Sequence, residues 1–391
     1  MRLRYILPVF PLIALVLVAT GTGLWLPGPP VQVWIPAAPQ SDGILLAEYE
    51  KGPSTTAHAA VLYERSTGTV LYGKEMHTRR APASTTKVMT ALLAIELGRM
   101  DDIVTVSRKA AGVPGSSARL YPDQKIRLLD LLYGLLLNSG NDAAVAIAEH
   151  IAGSEEAFVA LMNERARELG LENTRFQNPH GLDAPGHYST AYDLAILTDT
   201  AMNYPLFAQI VATREHVTDH GAFRNTNRLL WSMEGALGVK TGTTGQAGYC
   251  LVAAVSGEGM ELISVVLGSS DRWADSIRLL NYGFDEFHLL TLVERGSAVA
   301  EIDLPTAMGP VVAVAERPIT VVVRSDRPAE VETQTVIERL RTPVRPGQPL
   351  GRLEVQLVSE GRQLTIPLVA KGGVARRTPL RVLWEWLTGL L

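Results

Sequence analysis

Cysteine is almost absent from this sequence, and neither sign of charge dominates. Cys250 is the one cysteine among 391 residues, so a framework of intramolecular disulfides is excluded. It lies in the strand-like run 249–255, which predicts a small buried side chain and not a catalytic thiol. Lysine and arginine number 36 against 40 aspartates and glutamates, for a formal net charge of -4, which gives no basis for binding nucleic acid.

Histidine is also scarce, and metal-ligand patterns are missing. Among the 8 histidines, His216 and His220 have helical spacing, but no acidic residue joins them in a zinc signature. We therefore expect no metal and no cofactor.

The N-terminus carries an export pattern. Arg2 and Arg4 precede an apolar run over 5–19. No clear Ala-x-Ala cleavage site follows, and apolar residues resume up to Leu26, so the segment approaches the length that spans a bilayer. Residues 1–26 are therefore either a cleaved signal peptide or a retained signal anchor, and both predict that the main body is exported.

Along the rest of the chain, the composition and the pattern of apolar residues change several times, which predicts two folded domains. Proline-rich residues 27–56 are expected to form an extended linker. Across 57–290, strand patterns enclose a block of helix patterns and precede a final helix, which predicts an antiparallel sheet with an inserted helical subdomain. Short alternating runs over 291–375, separated by glycine and proline, predict a small all-β domain. The predicted helices are 86–97, 128–137, 142–151, 155–169 and 274–284.

The tail, residues 376–391, differs again. Its two tryptophans, five leucines and flanking arginines predict an amphipathic helix that lies in a membrane interface. Docking of this helix on its own domain is the alternative. The segment is too short to span a bilayer.

Ser84 and Lys87 form the first motif, Ser-Thr-Thr-Lys. Residues three apart on a helix lie on one face, so a helix that starts near Ser84 presents the amine to the hydroxyl. A serine needs a base to become a nucleophile, and a lysine can serve only where burial or a nearby cation lowers its pKa. Such a pair recurs by chance, so its weight depends on the motifs that follow.

The second motif, Ser139-Gly140-Asn141, follows an apolar helix pattern and precedes Asp142, the expected N-cap of the next helix. Serine, glycine and asparagine favour turns, so an ordinary turn is one interpretation. In the other, the loop lies over a cleft, where the Ser139 hydroxyl relays a proton to a leaving amine and Asn141 binds a substrate amide.

The third motif, Lys240-Thr241-Gly242, ends a strand pattern. A lysine on an edge strand before a turn glycine is the simple interpretation. In company with the first motif, Lys240 supplies the cation that lowers the pKa of Lys87. Thr241 then offers a hydroxyl to a substrate carboxylate, and Gly242 leaves room for a ligand beside the strand.

In this order the three motifs resemble those of the penicillin-recognising serine enzymes. Ser84 and Ser139 are 55 positions apart, and Ser139 and Lys240 are 101 apart, which leaves room for a helical subdomain and the return strands. Over roughly 57–287 the chain is similar to low-molecular-mass penicillin-binding proteins that are D-alanyl-D-alanine carboxypeptidases. Further segments that carry the resemblance are Ala81-Pro82-Ala83, Leu131-Leu132-Tyr133-Gly134, Asn178-Pro179-His180-Gly181-Leu182, Ser189-Thr190-Ala191-Tyr192-Asp193, Asn225-Thr226-Asn227-Arg228-Leu229-Leu230 and Gly248-Tyr249.

This resemblance implies an α+β fold, in which a β-lactamase-like catalytic domain with an antiparallel sheet and a helical subdomain precedes a small all-β domain. It implies a serine-type D-alanyl-D-alanine carboxypeptidase that removes the terminal D-alanine from peptidoglycan stem peptides and that penicillins acylate. The β domain and the tail fit the same family, where such a tail holds the enzyme on the outer face of the cytoplasmic membrane.

Carried over to this sequence, the resemblance implies that Ser84 attacks the penultimate D-alanine carbonyl and that Lys87 is its general base. Ser139 and Asn141 would then line the cleft. The backbone N–H groups of Ser84 and Thr243 would form the oxyanion hole, which stabilises charge as it develops.

The resemblance also assigns the end of the cleft that receives the substrate carboxylate. Lys240 would give electrostatic support, and Thr241 would meet the carboxylate. Some family members place an arginine between two asparagines upstream of the third motif, and this chain has Thr226 there. Arg224 and Arg228 lie nearby in the sequence, and Arg228 is the candidate that we select.

His180 also invites a catalytic interpretation, because histidine is the most common general base. It lies in a turn-like segment, however, and the serine–lysine pair already supplies a base. We therefore predict a structural role for His180.

Two other functions compete with the carboxypeptidase. A class A-like β-lactamase needs a deacylating glutamate four positions before an asparagine, and Leu169 holds that place before Asn173. A non-catalytic, membrane-anchored cell-wall-binding protein has no need of Ser84, Lys87 and Lys240 together. Both alternatives are therefore disfavoured.

Overall fold

The computed structural model describes residues 52–219, 221–327, 329–358 and 361–378. The predicted signal segment 1–26, the predicted linker up to residue 51 and the predicted tail helix beyond residue 378 lie outside these residues. Where the structure describes the chain, no helix combines the length and the apolar character needed to cross a bilayer.

The described residues divide into two compact units. The main unit takes its residues from 52–289 and 322–327, and the β unit takes its residues from 290–321 and 329–378. The domain boundaries inferred from the sequence stay predictions.

Sixteen strands and nine helices are found within the described residues. The strands are β1 (Ala59–Glu64), β2 (Thr69–Lys74), β3 (Ile103–Thr105), β4 (Lys125–Arg127), β5 (Glu215–Thr218), β6 (Gly221–Arg224), β7 (Ala236–Thr244), β8 (Gly248–Gly257), β9 (Met260–Ser269), β10 (Phe287–Val293), β11 (Ala298–Ile302), β12 (Val311–Ala315), β13 (Ile319–Arg324), β14 (Val331–Ile337), β15 (Pro349–Leu357) and β16 (Arg362–Ala370). The helices are α1 (Lys87–Leu97), α2 (Arg108–Ala111), α3 (Leu128–Leu136), α4 (Asn141–Ala152), α5 (Glu155–Glu168), α6 (Ala191–Met202), α7 (Pro205–Ala212), α8 (Leu229–Ser232) and α9 (Arg272–Glu286).

The main unit is built on an antiparallel sheet with strand order β2-β1-β9-β8-β7. Side chains of a strand alternate between the two faces of a sheet. In β1, Val61 packs in the cluster formed with the helices α1 to α7, whereas Leu62 packs in the cluster formed with α9. The sheet therefore lies between a helical subdomain and the last helix, and the predicted α+β fold is confirmed.

The helical subdomain holds the second motif at the junction of α3 and α4. Seven of the nine residues of α3 are apolar, and eight are buried, which anchors this helix in the core. The chain leaves α3, turns through Ser139, and begins α4 at Asn141. Two short antiparallel strand pairs, β3 with β4 and β5 with β6, also belong to the main unit.

Asp142 is not the N-cap of α4, so that prediction was wrong. Gly140 holds the N-cap position, and Asp142 lies in the first turn of the helix. Its carboxylate accepts hydrogen bonds from the backbone N–H groups of Ala118 at 2.8 Å and Leu120 at 3.1 Å, and from the Ser117 hydroxyl at 2.6 Å. Asp142 thus fixes the neighbouring loop, and it also accepts the N–H of Ala143 in the first turn of α4 at 2.9 Å.

The β unit contains a second antiparallel sheet, with strand order β11-β12-β16-β15-β14. In β15, Leu353, Val355 and Leu357 are buried, and the residues between them are not. This alternation is the pattern that the sequence shows over the same run. The predicted all-β character of this part of the chain is confirmed.

Candidate active site

Ser84 lies on a 3-10 turn, Ala83–Thr86, that leads directly into α1. Ala83 has a φ of 49°, in the left-handed region that ordinary residues avoid, so its surroundings must hold the turn in place. The Nζ of Lys87 lies 3.0 Å from the Oγ of Ser84. The two side chains are therefore within hydrogen-bond distance, although the α-helix begins at Lys87 and not near Ser84.

Lys87 is fully buried, and two acceptors meet its amine besides Ser84. Nζ donates to Oδ1 of Asn141 at 2.7 Å and to the carbonyl oxygen of His180 at 2.6 Å. A neutral amine has two N–H groups and one lone pair. Because these acceptors use both N–H groups, the lone pair is left for the Ser84 hydroxyl.

The pKa of Lys87 lies well below the usual value for lysine. Burial is the largest cause, because it removes water from around a charge, and the positive charge of Lys240 adds to the effect. The carboxylate of Asp142 opposes both. An amine whose pKa is lowered in this way can accept a proton at neutral pH.

Lys240 is the second buried amine of the site. It is 1% exposed on β7, and its Nζ donates to the carbonyl oxygen of Thr241 at 3.0 Å. Burial, and then the guanidinium of Arg272, lower the pKa of Lys240 to about 7. The charge of Lys240, when it is present, makes protonation of Lys87 less favourable.

The second motif meets the first through Asn141. The side chain of Asn141 is buried, and its Nδ2 donates to the carbonyl oxygen of Pro114 at 2.6 Å while Oδ1 faces Lys87. Ser139 is 6% exposed and has a φ of 61°, so the loop turns sharply just before α4. The second motif is therefore a rigid turn that fixes an amide beside the lysine.

Gly242 allows β7 to pass close to the turn that carries Ser84. A Cβ atom at Gly242 would lie 3.0 Å from the Cβ of Ala83 and 3.1 Å from the backbone nitrogen of Ser84. Contacts this short force neighbours to move, so any larger residue would push the strand away from the nucleophile.

Thr226 contacts the third motif directly. Its Oγ1 lies 2.8 Å from Oγ1 of Thr241. The position where some family members have arginine thus contributes a hydroxyl to the predicted carboxylate site. Arg228 is exposed, and its guanidinium lies 5.9 Å from the ring centroid of Trp273.

Arg272 is a cation of the site that the sequence did not reveal. Its Nη1 donates to the carbonyl oxygen of Gly242 at 2.8 Å and to Oγ1 of Thr243 at 2.9 Å. Its guanidinium also lies over the rings of Tyr249, at 5.4 Å, and Trp273, at 4.9 Å. The residue begins α9, and nothing in its local sequence indicates that the helix starts beside the third motif.

The segment 178–182 closes the site on the side of the lysine. A Cβ atom at Gly181, where φ is 87°, would lie 1.9 Å from the carbonyl oxygen of Ala83, so only glycine fits this position. The side chain of His180 is turned toward Glu155, and it is the backbone carbonyl that meets Lys87. This placement supports the structural role expected for His180, which stays a prediction.

A second histidine supports the turn from beneath. Nε2 of His187 lies 2.9 Å from the hydroxyl oxygen of Thr86. Burial lowers the pKa of His187 to about 4, so the ring is neutral at pH 7.

Among the described residues, no group of three or more histidine, cysteine, aspartate or glutamate side chains is arranged to hold a metal ion.

An antiparallel sheet, a helical subdomain and a serine beside a buried lysine define the class of serine acyl-transfer enzymes in which a lysine lies next to the nucleophile. A family model described as D-alanyl-D-alanine carboxypeptidase matches residues 47–271 of this chain. The chain belongs to the D-alanyl-D-alanine carboxypeptidase family, and it is a serine-type peptidase. The family and the activity expected from the sequence are confirmed.

Relatives and solved structures agree with this assignment. The chain is 39% identical over 316 residues to the D-alanyl-D-alanine carboxypeptidase DacF of Bacillus subtilis (strain 168), which covers 76% of this chain and 80% of that protein. It is 33% identical over 361 residues to the D-alanyl-D-alanine carboxypeptidase DacA of Haemophilus influenzae, with coverage of 86% and 89%. The crystal structure of penicillin binding protein 5 from Haemophilus influenzae matches with a TM-score of 0.71 at 32% identity, covering 83% of this chain and 98% of that one.

Proposed function

We propose that this enzyme removes the terminal D-alanine from peptidoglycan stem peptides that end in D-alanyl-D-alanine, through an acyl-enzyme on Ser84. The observation that carries the proposal is the contact between the Ser84 hydroxyl and the buried amine of Lys87, whose two N–H groups are already bonded. A serine in this setting has a base aimed at its proton.

In the acylation step, the Lys87 amine accepts the proton of the Ser84 hydroxyl as Oγ bonds to the carbonyl carbon of the penultimate D-alanine. The backbone N–H groups of Ser84 and Thr243 donate to the oxyanion that forms. The bond to the nitrogen of the terminal D-alanine then breaks. Its amine takes up the proton from Lys87, with the Ser139 hydroxyl as the relay.

In the deacylation step, water takes the place of the departed D-alanine. Lys87 accepts a proton from this water as its oxygen bonds to the acyl carbon, and the proton then passes to Oγ of Ser84 as the ester breaks. A penicillin follows the acylation step in the same way, because its strained amide presents a carbonyl to Ser84. Its leaving nitrogen stays tethered to the acyl group, so we expect a long-lived adduct.

The terminal carboxylate of the substrate is proposed to lie beside the third motif. Thr241 donates its hydroxyl, and the paired hydroxyl of Thr226 orients it. The nearby positive charges of Lys240 and Arg272 favour an anion here. Arg228 is the less direct candidate, because its guanidinium lies over Trp273.

The location of the enzyme is part of the proposal. Residues 1–26 would direct export, and residues 376–391 would hold the enzyme at the outer face of the cytoplasmic membrane through an amphipathic helix. The support is the sequence pattern of these two segments. Cell fractionation of the full chain, compared with a chain that ends at residue 375, tests the tail. If residues 1–26 are a cleaved signal peptide, the truncated form should leave the membrane fraction, whereas a retained signal anchor would hold both forms there.

Formation of a covalent penicillin adduct tests the catalytic proposal. Intact mass measurement should show one labelled penicillin on the protein, and Ser84→Ala should abolish it. Ser256→Ala, at an exposed position of β8, is the matched control and should label normally. No mass gain on the unaltered protein would defeat the proposal.

Release of D-alanine separates the proposed activity from that of a β-lactamase. The enzyme should release D-alanine from a peptide that ends in D-alanyl-D-alanine, and it should turn over penicillin only slowly. Rapid penicillin hydrolysis without D-alanine release would favour the β-lactamase.

A further inference from the structure

Glu155 is a partly buried acid that the mechanism above does not use. It is the first residue of α5, its side chain is 17% exposed, and its Oε1 lies 3.5 Å from Nε2 of His180. Its other oxygen, Oε2, lies 2.9 Å from Nζ of Lys109. The neighbouring Glu156 is 79% exposed and reaches Lys109 only at 3.6 Å.

The second ring nitrogen of His180 fixes the tautomer of the imidazole. Nδ1 lies 3.2 Å from the backbone nitrogen of Leu182, and an N–H donor at Leu182 requires an acceptor. The proton of a neutral ring therefore lies on Nε2, where it faces the carboxylate of Glu155. The imidazole is held at both ends, by its own turn and by α5.

The same turn presents the backbone carbonyl of His180 to Lys87. Oδ1 of Asn178 accepts the N–H of Gly181 at 2.6 Å, and the His180 carbonyl oxygen lies 2.6 Å from Nζ of Lys87. A small rotation of this peptide would remove one of the two acceptors that direct the amine. The lone pair of Lys87 would then point less often at Ser84.

We propose that Glu155 is a positioning residue that holds the His180 ring and thereby fixes the carbonyl that orients the Lys87 amine. This inference rests on the role as general base proposed for Lys87. It predicts that Glu155 acts on the rate of the chemical step and not on the binding of the substrate.

The charge of Glu155 is suited to this role. The close contact with His180, and then the contact with Lys109, lower the pKa of Glu155 to about 2. The carboxylate is therefore ionised at neutral pH. A charged acceptor bonds an imidazole N–H more strongly than a neutral amide does.

Glu155→Gln is the direct test, with Glu156→Gln as the matched control on the same turn of α5. Stopped-flow measurement with a labelled penicillin gives the acylation rate constant at saturation and the dissociation constant of the preceding complex. We expect Glu155→Gln to lower the rate constant by about 10- to 100-fold, the size of effect that a small misplacement of a catalytic group produces. The dissociation constant should change little, and Glu156→Gln should behave as the unaltered enzyme does.

His180→Gln provides a second route, because it removes the ring and keeps the backbone carbonyl. If Glu155 acts through the ring, the effects of the two substitutions will not add: Glu155→Gln should have almost no effect in a His180→Gln background. Full additivity would overturn the proposal. Should Glu155→Gln fail to fold, a fall in the rate constant of His180→Gln alone, with an unchanged dissociation constant, would support it, and an unchanged rate would overturn it.

The failure of this inference can be told from the failure of the proposed function. An unaltered enzyme that forms no adduct at Ser84 would remove the basis of both. An unaltered enzyme that is acylated at Ser84, with Glu155→Gln acylated at the same rate, would overturn the role of Glu155 alone.

Discussion

The main unit and the β unit differ in their content of buried polar side chains. Across the described residues, every buried polar or charged side chain lies between Glu64 and Ser276, and the interior of the β unit is apolar. The main unit even buries two lysines, Lys87 and Lys240, completely or almost completely. Burial of an amine is costly, whereas alternating valine, leucine and isoleucine fill a core at no such cost.

This contrast identifies the main unit as the part of the fold that buries costly polar groups because the reaction needs them. Several buried groups of the main unit are hydrogen-bonded to one another: Lys87 meets Asn141 and the His180 backbone, and Thr86 meets His187. A buried polar group is tolerated where its partners are satisfied. The interior of the β unit carries no such groups, which is consistent with a role outside the reaction.

Replacement of a buried lysine of the main unit by an apolar residue should have the largest effect on the acylation rate. Lys87→Met keeps the length of the side chain and removes the amine. We expect penicillin acylation to fall by about 10²- to 10⁴-fold, because that is the usual contribution of a general base. Stopped-flow fluorescence with a labelled penicillin measures this rate.

Lys125→Met, at an exposed position of β4, is the control for the loss of a lysine and should acylate normally. A circular dichroism spectrum like that of the unaltered enzyme would show that Lys87→Met still folds. Acylation of Lys87→Met at the normal rate would mean that the polar interior serves another purpose.

Lys240→Met should have a smaller effect on rate and a clear effect on pH dependence. The charge of Lys240 helps to keep the pKa of Lys87 low, so its removal should raise that pKa. Acylation needs the unprotonated amine and falls as pH drops through this pKa. The acid limb of the rate profile should therefore move to higher pH, and a limb that stays in place or moves to lower pH would contradict this account.

The stability of the fold should also depend on pH because of Lys240, and the direction of that dependence can be predicted. The pKa of Lys240 is about 7 in the folded protein and 10.5 in the unfolded chain. Between these two pH values the unfolded chain therefore binds more protons than the folded protein does. The free energy of unfolding of the normal enzyme should consequently rise with pH across this window. Urea unfolding of Lys240→Met should show a smaller rise, and Lys125→Met should keep the normal one.

Local patterns predicted many, but not all, of the elements that build the two units. The alternation in β15 and the apolar stretch of α3 follow from side-chain periodicity, and the three motifs are short enough to be read directly. Helix α6 was not among the predicted helices, although Thr190 and Asp193 form an N-cap pattern that indicates the start of a helix. The Thr190 side chain accepts the N–H of Asp193 at 2.9 Å.

Contacts between distant segments could not be predicted in this way. Arg272 reaches Thr243 across 29 positions, and Glu155 faces His180 from a different element. The start of α4 was also misjudged, because the carboxylate of Asp142 bonds a loop that lies more than 20 positions earlier. Such pairings depend on how helices pack on the sheet, and no local period encodes that packing.

The smallest effect is expected where a polar group is placed in the apolar interior of the β unit. Val355→Thr keeps the shape of the side chain at a fully buried position of β15 and adds a hydroxyl. We expect the free energy of unfolding to fall by about 1–3 kcal/mol, the cost of burying a hydroxyl without a partner. The same change at Val358, which is 44% exposed, should alter it by less than about 0.5 kcal/mol. Penicillin acylation should be normal in both variants, because every proposed catalytic side chain belongs to the main unit, and a slower rate in Val355→Thr would show that the two interiors are not independent.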